Sequence, residues 1–207
     1  MRKQLWFAVL LLGTLVLAAC APTVVSPDTP RPLVTVINAP TETRQSFLAE
    51  DLEEAVERVG TREPYTFMRP GPIRFQETHR DMGRSRAIPS ASSLARNLTA
   101  DLAILVAAPV FEREVEVEGN YQYLDYRVQV EVLFVDPHAE QQLAAFTSRE
   151  YTGHRRLPVQ VDLPAIDEDP DLRQLADHAL ANVAPAVAGQ LDELAAQYRN
   201  MVQPAGQ

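Results

Sequence analysis

From Tyr126 to Phe134 every second residue is apolar: Tyr126, Val128, Val130, Val132 and Phe134, with Arg127, Gln129 and Glu131 between them. A period of two predicts a strand with one buried and one wetter face. Just upstream, Val115 and Val117 alternate with Glu114, Glu116 and Glu118, and Gly119-Asn120 is a hairpin signal. Asp136-Pro137-His138-Ala139 turns the chain, and Leu143 to Tyr151 is expected to return as a strand. Two further runs, Leu33–Ile37 and Leu102–Val106, are β-branched or aliphatic throughout and read as buried strands. Tyr65–Met68 and Ile73–Gln76 are expected as short strands around the turn Arg69-Pro70-Gly71-Pro72.

Helical spacing appears in three places. Leu48, Leu52, Ala55, Val56 and Val59 form one stripe, with Thr41 or Thr43 as the cap and Gly60 as a left-handed terminator. Glu50, Asp51, Glu53, Glu54 and Glu57 are expected to face solvent. Residues 77–92 show little periodicity and read as a loop. Ser92 or Ser93 then caps a short helix through Leu94, Ala95, Leu98 and Thr99. Residues 153–170 read as a polar, proline-punctuated connection. Asp171–Tyr198 is the longest helical pattern, with Leu172, Leu175, Ala176, Ala179, Val183, Val187, Leu191 and Leu194 on one side. Pro185 is expected to kink or split it. The predicted class is α+β (mixed α/β): a small sheet with an antiparallel meander, helices packed on one face, and a long C-terminal helix. Residues 33–200 form one domain and residues 201–207 a frayed tail.

The first residues follow a different pattern. Met1-Arg2-Lys3 is basic, and Leu5–Ala19 is an apolar run broken only by Gly13 and Thr14. Fifteen residues fall short of the roughly 20 that a bilayer span needs, so residues 1–19 read as a signal peptide. Leu17-Ala18-Ala19-Cys20 resembles the lipobox of bacterial lipoproteins. That resemblance implies cleavage between Ala19 and Cys20, and diacylglycerol on the Cys20 sulfur. It further implies a membrane anchor of two or three acyl chains in the cell envelope, enough for stable attachment. Residues 20–32 carry Pro22, Pro27, Pro30 and Pro32 among Thr, Ser and Asp, an extended tether. Its twelve residues from Ala21 to Pro32 would reach roughly 35–40 Å at about 3.1 Å each.

The segment Leu94–Val106, in which a short helix ends in Ala100-Asp101 and runs directly into a strand, is similar to small envelope domains. These are typified by the curli-secretion-channel lipoprotein, the penicillin-binding-protein activator lipoproteins and the amino-terminal domain of TolB. Val128–Asp136, its turn and Leu143–Tyr151 are similar to that group's strand, Asp-containing turn and returning strand. The resemblance covers residues 33–60 and 94–199. It implies a non-enzymatic domain that assembles with other envelope proteins, and does not imply a pore; an assembly role predicts self-association or a stable partner. The long arginine-rich stretch 69–93 departs from the group's pattern, as does the absence of a Thr-Gly pair at the hairpin.

Charge sharpens this picture. The chain holds 28 acidic and 19 basic residues, and Lys3 is its one lysine. Without residues 1–19 the charge is 17 − 28 = −11. Such a domain is repelled by an anionic lipid surface and is a poor nucleic-acid binder. No glycine-rich phosphate loop is present, which disfavours nucleotides. The one cysteine excludes an intramolecular disulfide and a cysteine-based zinc site. His79, His138, His154 and His178 lack metal-site spacing, so neither metal nor cofactor is expected. His79-Arg80-Asp81 matches a kinase triplet with no other kinase element around it. Ser90, Ser92 and Ser93 read as cap residues, and no Gly-x-Ser-x-Gly elbow supports a hydrolase. Arg69, Arg74, Arg80, Arg84 and Arg86 oppose only Glu77 and Asp81, a candidate patch for an acidic partner or for anionic polymer or lipid headgroups, or else a solvated loop. Tyr121, Tyr123 and Tyr126 are either an interface cluster or ordinary strand residues. The function expected is a lipid-anchored envelope protein that scaffolds, assembles or regulates a complex. The alternatives are a carrier of lipid or another apolar ligand, and an envelope hydrolase. The carrier would need a cavity between sheet and helices, against which Ala176, Ala179, Ala184, Ala186 and Ala188 argue.

Overall fold

The computed structural model describes residues 31–38, 47–68 and 84–202. The signal segment, Cys20, most of the tether, Thr41, Thr43, residues 69–83 with the expected 73–76 strand, and the tail from 203 lie outside them. The architecture is α+β. The sheet order is β2 (Thr66–Phe67), β1 (Leu33–Asn38), β3 (Leu102–Glu118), β4 (Tyr121–Asp136), then β5 (Gln141–Thr147). A further strand, β6 (Tyr151–Pro158), also pairs with β4. Strands β1, β2 and β3 are mutually parallel, and β3, β4, β5 and β6 form the antiparallel part. Parallel neighbours need crossovers, which α1 (Leu48–Val59) and α2 (Arg84–Asn97) accompany; α3 (Pro170–Val202) closes the chain.

Helices cover both faces, where one was expected. Val34, Val36, Ile104, Val106, Val128, Val130 and Phe134 point to α1 and α3. The alternate residues Ile37, Leu105, Leu133 and Val135 point to the other face, under Ala87, Ala91 and Ala95 of α2. The reason is visible in the strands: at this end both sets of alternating positions are apolar, so both faces must be buried. Each fully buried Leu or Phe contributes about 1.5–3 kcal/mol.

α2 replaces most of the expected 77–92 loop. Its buried stripe is three alanines at i, i+4 and i+8, too small to mark a strong apolar period, and Pro89 sits inside the helix. Ser92 is fully buried in mid-helix and caps nothing. The helix ends through two bonds, Thr99 N–H to Arg96 O at 3.0 Å and Ala100 N–H to Ala95 O at 2.9 Å. This is a Schellman closure with Thr99 at φ 56°, where glycine is usual. Asp101 then accepts Leu33 N–H at 2.8 Å and donates its own amide to Leu33 O at 2.8 Å, which fixes where β1 begins.

β3 is one strand of 17 residues, where two separate strands were expected. Ala107 pairs with Glu131 and Val110 with Gln129, so β3 carries one extra residue there. Pro109, which has no amide to donate, lies in this bulge. β5 and β6 lie along one edge of β4, separated at Ser148–Glu150. Buried Ser148 bridges the gap: its hydroxyl accepts Val130 N–H at 3.0 Å and donates to Arg149 O at 2.8 Å. The strand expected over Leu143–Tyr151 therefore ends at Thr147, and β6 begins at its last residue and otherwise falls within the stretch 153–170 expected as a connection, where Gly153 and Pro158 obscure it.

α3 runs unbroken through Pro185 for 33 residues, so that proline does not split it. Leu172, Ala176, Ala179, Leu180, Val183, Ala184, Val187, Ala188, Leu191 and Ala195 are buried, whereas Ala186 is exposed. α3 packs on α1 and β4. Three residues of α1 differ from expectation: Glu53 is 4% exposed rather than solvated, Asp51 is partly buried, and Val59, expected on the apolar stripe, is 48% exposed. Gly60 has a positive φ of 77° but an extended ψ of 155°, so it ends α1 without the left-handed helical geometry.

Candidate interaction surface

Cys20, Arg69, Arg74, Arg80 and His79 lie outside the described residues. Arg84 and Arg86 are placed in the first turn of α2, which holds no acidic residue.

Beyond Val110 the sheet narrows to a three-stranded ribbon of β3, β4 and β6. Register sets the rows of its outer face: Glu112–Arg127–Thr152, Glu114–Asp125–His154, Glu116–Tyr123–Arg156 and Glu118–Tyr121–Pro158. Tyr121 and Tyr123 are 41% and 36% exposed here, while Tyr126 is buried on the opposite face. The three tyrosines are therefore not one cluster. The Arg156 guanidinium lies 3.6 Å from the Tyr121 ring centre and 5.7 Å from that of Tyr123, a cation–π arrangement. Arg127 holds Glu112 at 2.5 Å and Glu114 at 3.6 Å, and His154 Nδ1 meets Asp125 Oδ1. Glu116, Glu118, Asp125, His154 and Arg156 border an open depression of 490 Å³. A second depression, of 720 Å³, lies by Glu57, Arg62, Tyr65 and Phe67 at the root of the tether. The other described histidines are elsewhere, His138 in the β4–β5 turn and His178 beside the Tyr151 ring on α3.

The inner face of the ribbon is locked to α3. Asp169 precedes Pro170, the first helical residue, and accepts Asp171 N–H at 3.0 Å, an N-cap followed by proline at N1. Its second oxygen accepts Arg113 Nη1 at 2.5 Å, and Arg113 Nη2 donates to Pro164 O at 3.0 Å. Arg155 donates to Asp171 at 2.6 Å. Burial, with Asp169 and Asp171 beside it, pushes the Tyr126 hydroxyl up to about 12. Gln122, 6% exposed, donates to Pro158 O at 3.2 Å and Val161 O at 2.8 Å, which folds the β6–α3 connection beneath the hairpin. Burial likewise raises Asp51, the Arg173 guanidinium opposing it.

The ribbon was only half legible. The Glu/Val alternation of β3 and the tyrosines of β4 are legible in the sequence, but Arg156 is not, because residues 153–170 read as a connection. The alternation of Tyr151, Gly153, Arg155 and Leu157, which fall on one face of β6, was the available signal.

No known family model matches the chain, and no curated protein does. Among solved structures it is similar to the PelC dodecamer from Paraburkholderia phytofirmans, with 12% identity over 77% of this chain and 94% of that one, TM-score 0.38. Lipoprotein GNA1162 from Neisseria meningitidis shares 12% identity over 79% and 99%, TM-score 0.33. A minor lipoprotein from Acinetobacter baumannii shares 8% over 80% and 93%, TM-score 0.34. Likenesses this loose establish neither a family nor a function for the chain.

Proposed function

We propose that this chain is a bacterial envelope lipoprotein, tethered to a membrane through acyl chains on Cys20. Its domain is a non-catalytic assembly unit that binds an envelope protein or further copies of itself. The observation that carries the reading is positional: the one cysteine of the chain follows Leu17-Ala18-Ala19 at the end of a short apolar run with a basic start. The similarity of Leu94–Val106 to envelope assembly domains points the same way, as does a charge of −11 that keeps the domain off anionic lipid. The arginines at 69–86 remain a candidate contact for an acidic partner.

Close packing weighs against the carrier reading, since Ala176, Ala179, Ala184 and Ala188 sit at 0–3% exposure between α3 and the sheet. The test is labelling of cells with radioactive palmitate, followed by membrane fractionation and crosslinking. Wild type should be labelled, fractionate with membrane and crosslink to a protein. Cys20→Ala should be unlabelled and released. An unlabelled wild type, or a Cys20→Ala protein that stays anchored, overturns the lipoprotein reading; capture of no protein overturns the assembly reading.

A further inference from the structure

The ribbon has two strand edges that no described residue pairs: β3 from Glu112 to Glu118, and β6 from Tyr151 to Pro158. All of residues 112–118 except Arg113 are exposed. The register runs from Val110 to Glu118 without a bulge, and no proline interrupts it. Free edges lacking those protections are templates for adding another strand. Their charges differ. The β3 edge carries Glu112, Glu114, Glu116 and Glu118 against Arg113 alone, and the β6 edge carries His154, Arg155 and Arg156 with no acid. Inside one copy, Glu112 and Glu114 are held by Arg127, and Arg155 by Asp171. Among the described residues Glu116 and Glu118 have no cation, and Arg156 meets tyrosine rings but no carboxylate.

We propose that these edges are the two halves of one contact between copies of this chain, with β3 of one copy continuing the sheet beside β6 of the next. Both strands run antiparallel to β4 and therefore parallel to each other. Two copies in the same orientation can thus join β6 to β3 as a parallel pair, outer face matched to outer face. Glu112, Glu114 and Glu116 then lie beside Thr152, His154 and Arg156. On the inner face Val115 and Val117, 45% and 60% exposed, lie beside Arg155 and Leu157.

The two-fold alternatives are worse on both charge and geometry. β3 against β3 as an antiparallel pair sets one glutamate row beside another, and β6 against β6 gathers the arginines; like charges directly across strands destabilise. The geometric argument rests on the lipoprotein reading. The tether enters at Leu33, and β1 lies beside the start of β3, so the anchor is at the far end from the Gly119-Asn120 hairpin. A strand of 17 residues at about 3.3 Å each separates the two ends by roughly 55 Å. An antiparallel two-fold pair would send its tethers in opposite directions, and each reaches only roughly 35–40 Å. The head-to-tail pair sends every tether toward the same membrane. Such a contact is heterologous, so it propagates until a ring closes or a filament grows.

The test is sedimentation velocity of the full-length, acylated protein in detergent over a concentration series, with three preparations. Wild type should assemble beyond a dimer. It should dissociate as ionic strength rises from about 0.1 M to about 1 M, where the screening length falls from about 10 Å to about 3 Å. Glu116→Arg/Glu118→Arg and Arg156→Glu should each weaken association by roughly tenfold or more. An equimolar mixture of the two variants should recover it, because each then meets a complementary edge. Circular dichroism checks that both stay folded, as expected for exposed positions. A wild type that is monomeric or stops at a dimer overturns the proposal, as does assembly indifferent to the reversals or variants that the mixture does not rescue. None of these outcomes touches Cys20 acylation or a crosslinked envelope partner, so the lipoprotein reading stands or falls separately.

Discussion

Removing the Asp169 carboxylate should cost more stability than any other single polar truncation at the ribbon's inner face. Its side chain is 2% exposed, and that of its partner Arg113 is 10% exposed. One oxygen caps α3 through Asp171 N–H, and the other faces the guanidinium. Losing such a cap costs about 0.5–2 kcal/mol. Losing one partner of a buried ion pair costs about 3–5 kcal/mol, because the other charge stays buried and uncompensated. Arg113 is poorly placed to recover, since its Nε already lacks a hydrogen-bond partner. The two losses share one side chain and do not add fully, so Asp169→Ala should cost about 3–5 kcal/mol. For a domain of this size, about 2–4 °C per kcal/mol turns that into a fall in Tm of roughly 6–20 °C. Asp169→Asn keeps the cap, because asparagine caps as well as aspartate, and should be about 1 kcal/mol less damaging than alanine. Adding Arg113→Met to Asp169→Asn removes the stranded charge and should restore most of the loss. Urea denaturation of the four proteins measures every term. The reasoning fails if Asp169→Ala costs under about 1 kcal/mol, or if the double variant is no more stable than Asp169→Asn.

Two further outcomes follow from particular residues. Thr99 holds φ 56° at the end of α2, where a β-branched side chain is strained by about 1–2 kcal/mol; Thr99→Gly should therefore raise stability by roughly 0.5–1 kcal/mol in urea denaturation, after glycine's entropic penalty. Tyr126 has an ordinary value of 10.0 that folding raises to about 12. Above pH 10 the unfolded chain then loses a proton that the folded one keeps, so this contribution is intact below pH 10 and is lost between pH 10 and 12; Tyr126→Phe should flatten the fall of stability over that window, and an unchanged slope would reject the assignment.

How far the sequence reached depends on what each element buries. β4 was legible because one face is all large apolar residues and the other carries Arg127 and Gln129. α3 was legible because its period survives over many turns, and its continuity through Pro185 was not, since packing against α1 and the sheet outweighs one lost amide bond. α2 was hidden for the opposite reason: Ala87, Ala91 and Ala95 bury little area, so only the apolar underside of β1, β3 and β4 required a helix there. The second face of Leu105, Leu133 and Val135 was the signal, and it lies in the strands rather than in the helix. Glu53 departs from its expected exposure because spacing gives the angle of a residue around the helix but not how wide the covering neighbours are.

The same distinction governs the ribbon. A strand pattern fixes which residues share a face, and that much of β3 was readable from Glu114 to Glu118. It does not say whether the strand is central or an edge, because edge status depends on which element comes to lie alongside. Among the described residues β1 pairs with β3 as far as Asn38, opposite Val106, and no described strand flanks that side of β3 beyond it, the glutamates from Glu112 included. β6 takes the other side of β4 only because Ser148 interrupts the β5 edge and lets the chain rejoin β4 opposite Val128. Two local events, a short β1 and a serine-bridged gap, thus leave an acidic edge and a basic edge on the same ribbon. Both run along the axis that leads from the tether. That placement makes the edges, rather than either surface depression, the part of the molecule whose chemistry is left incomplete in a single copy.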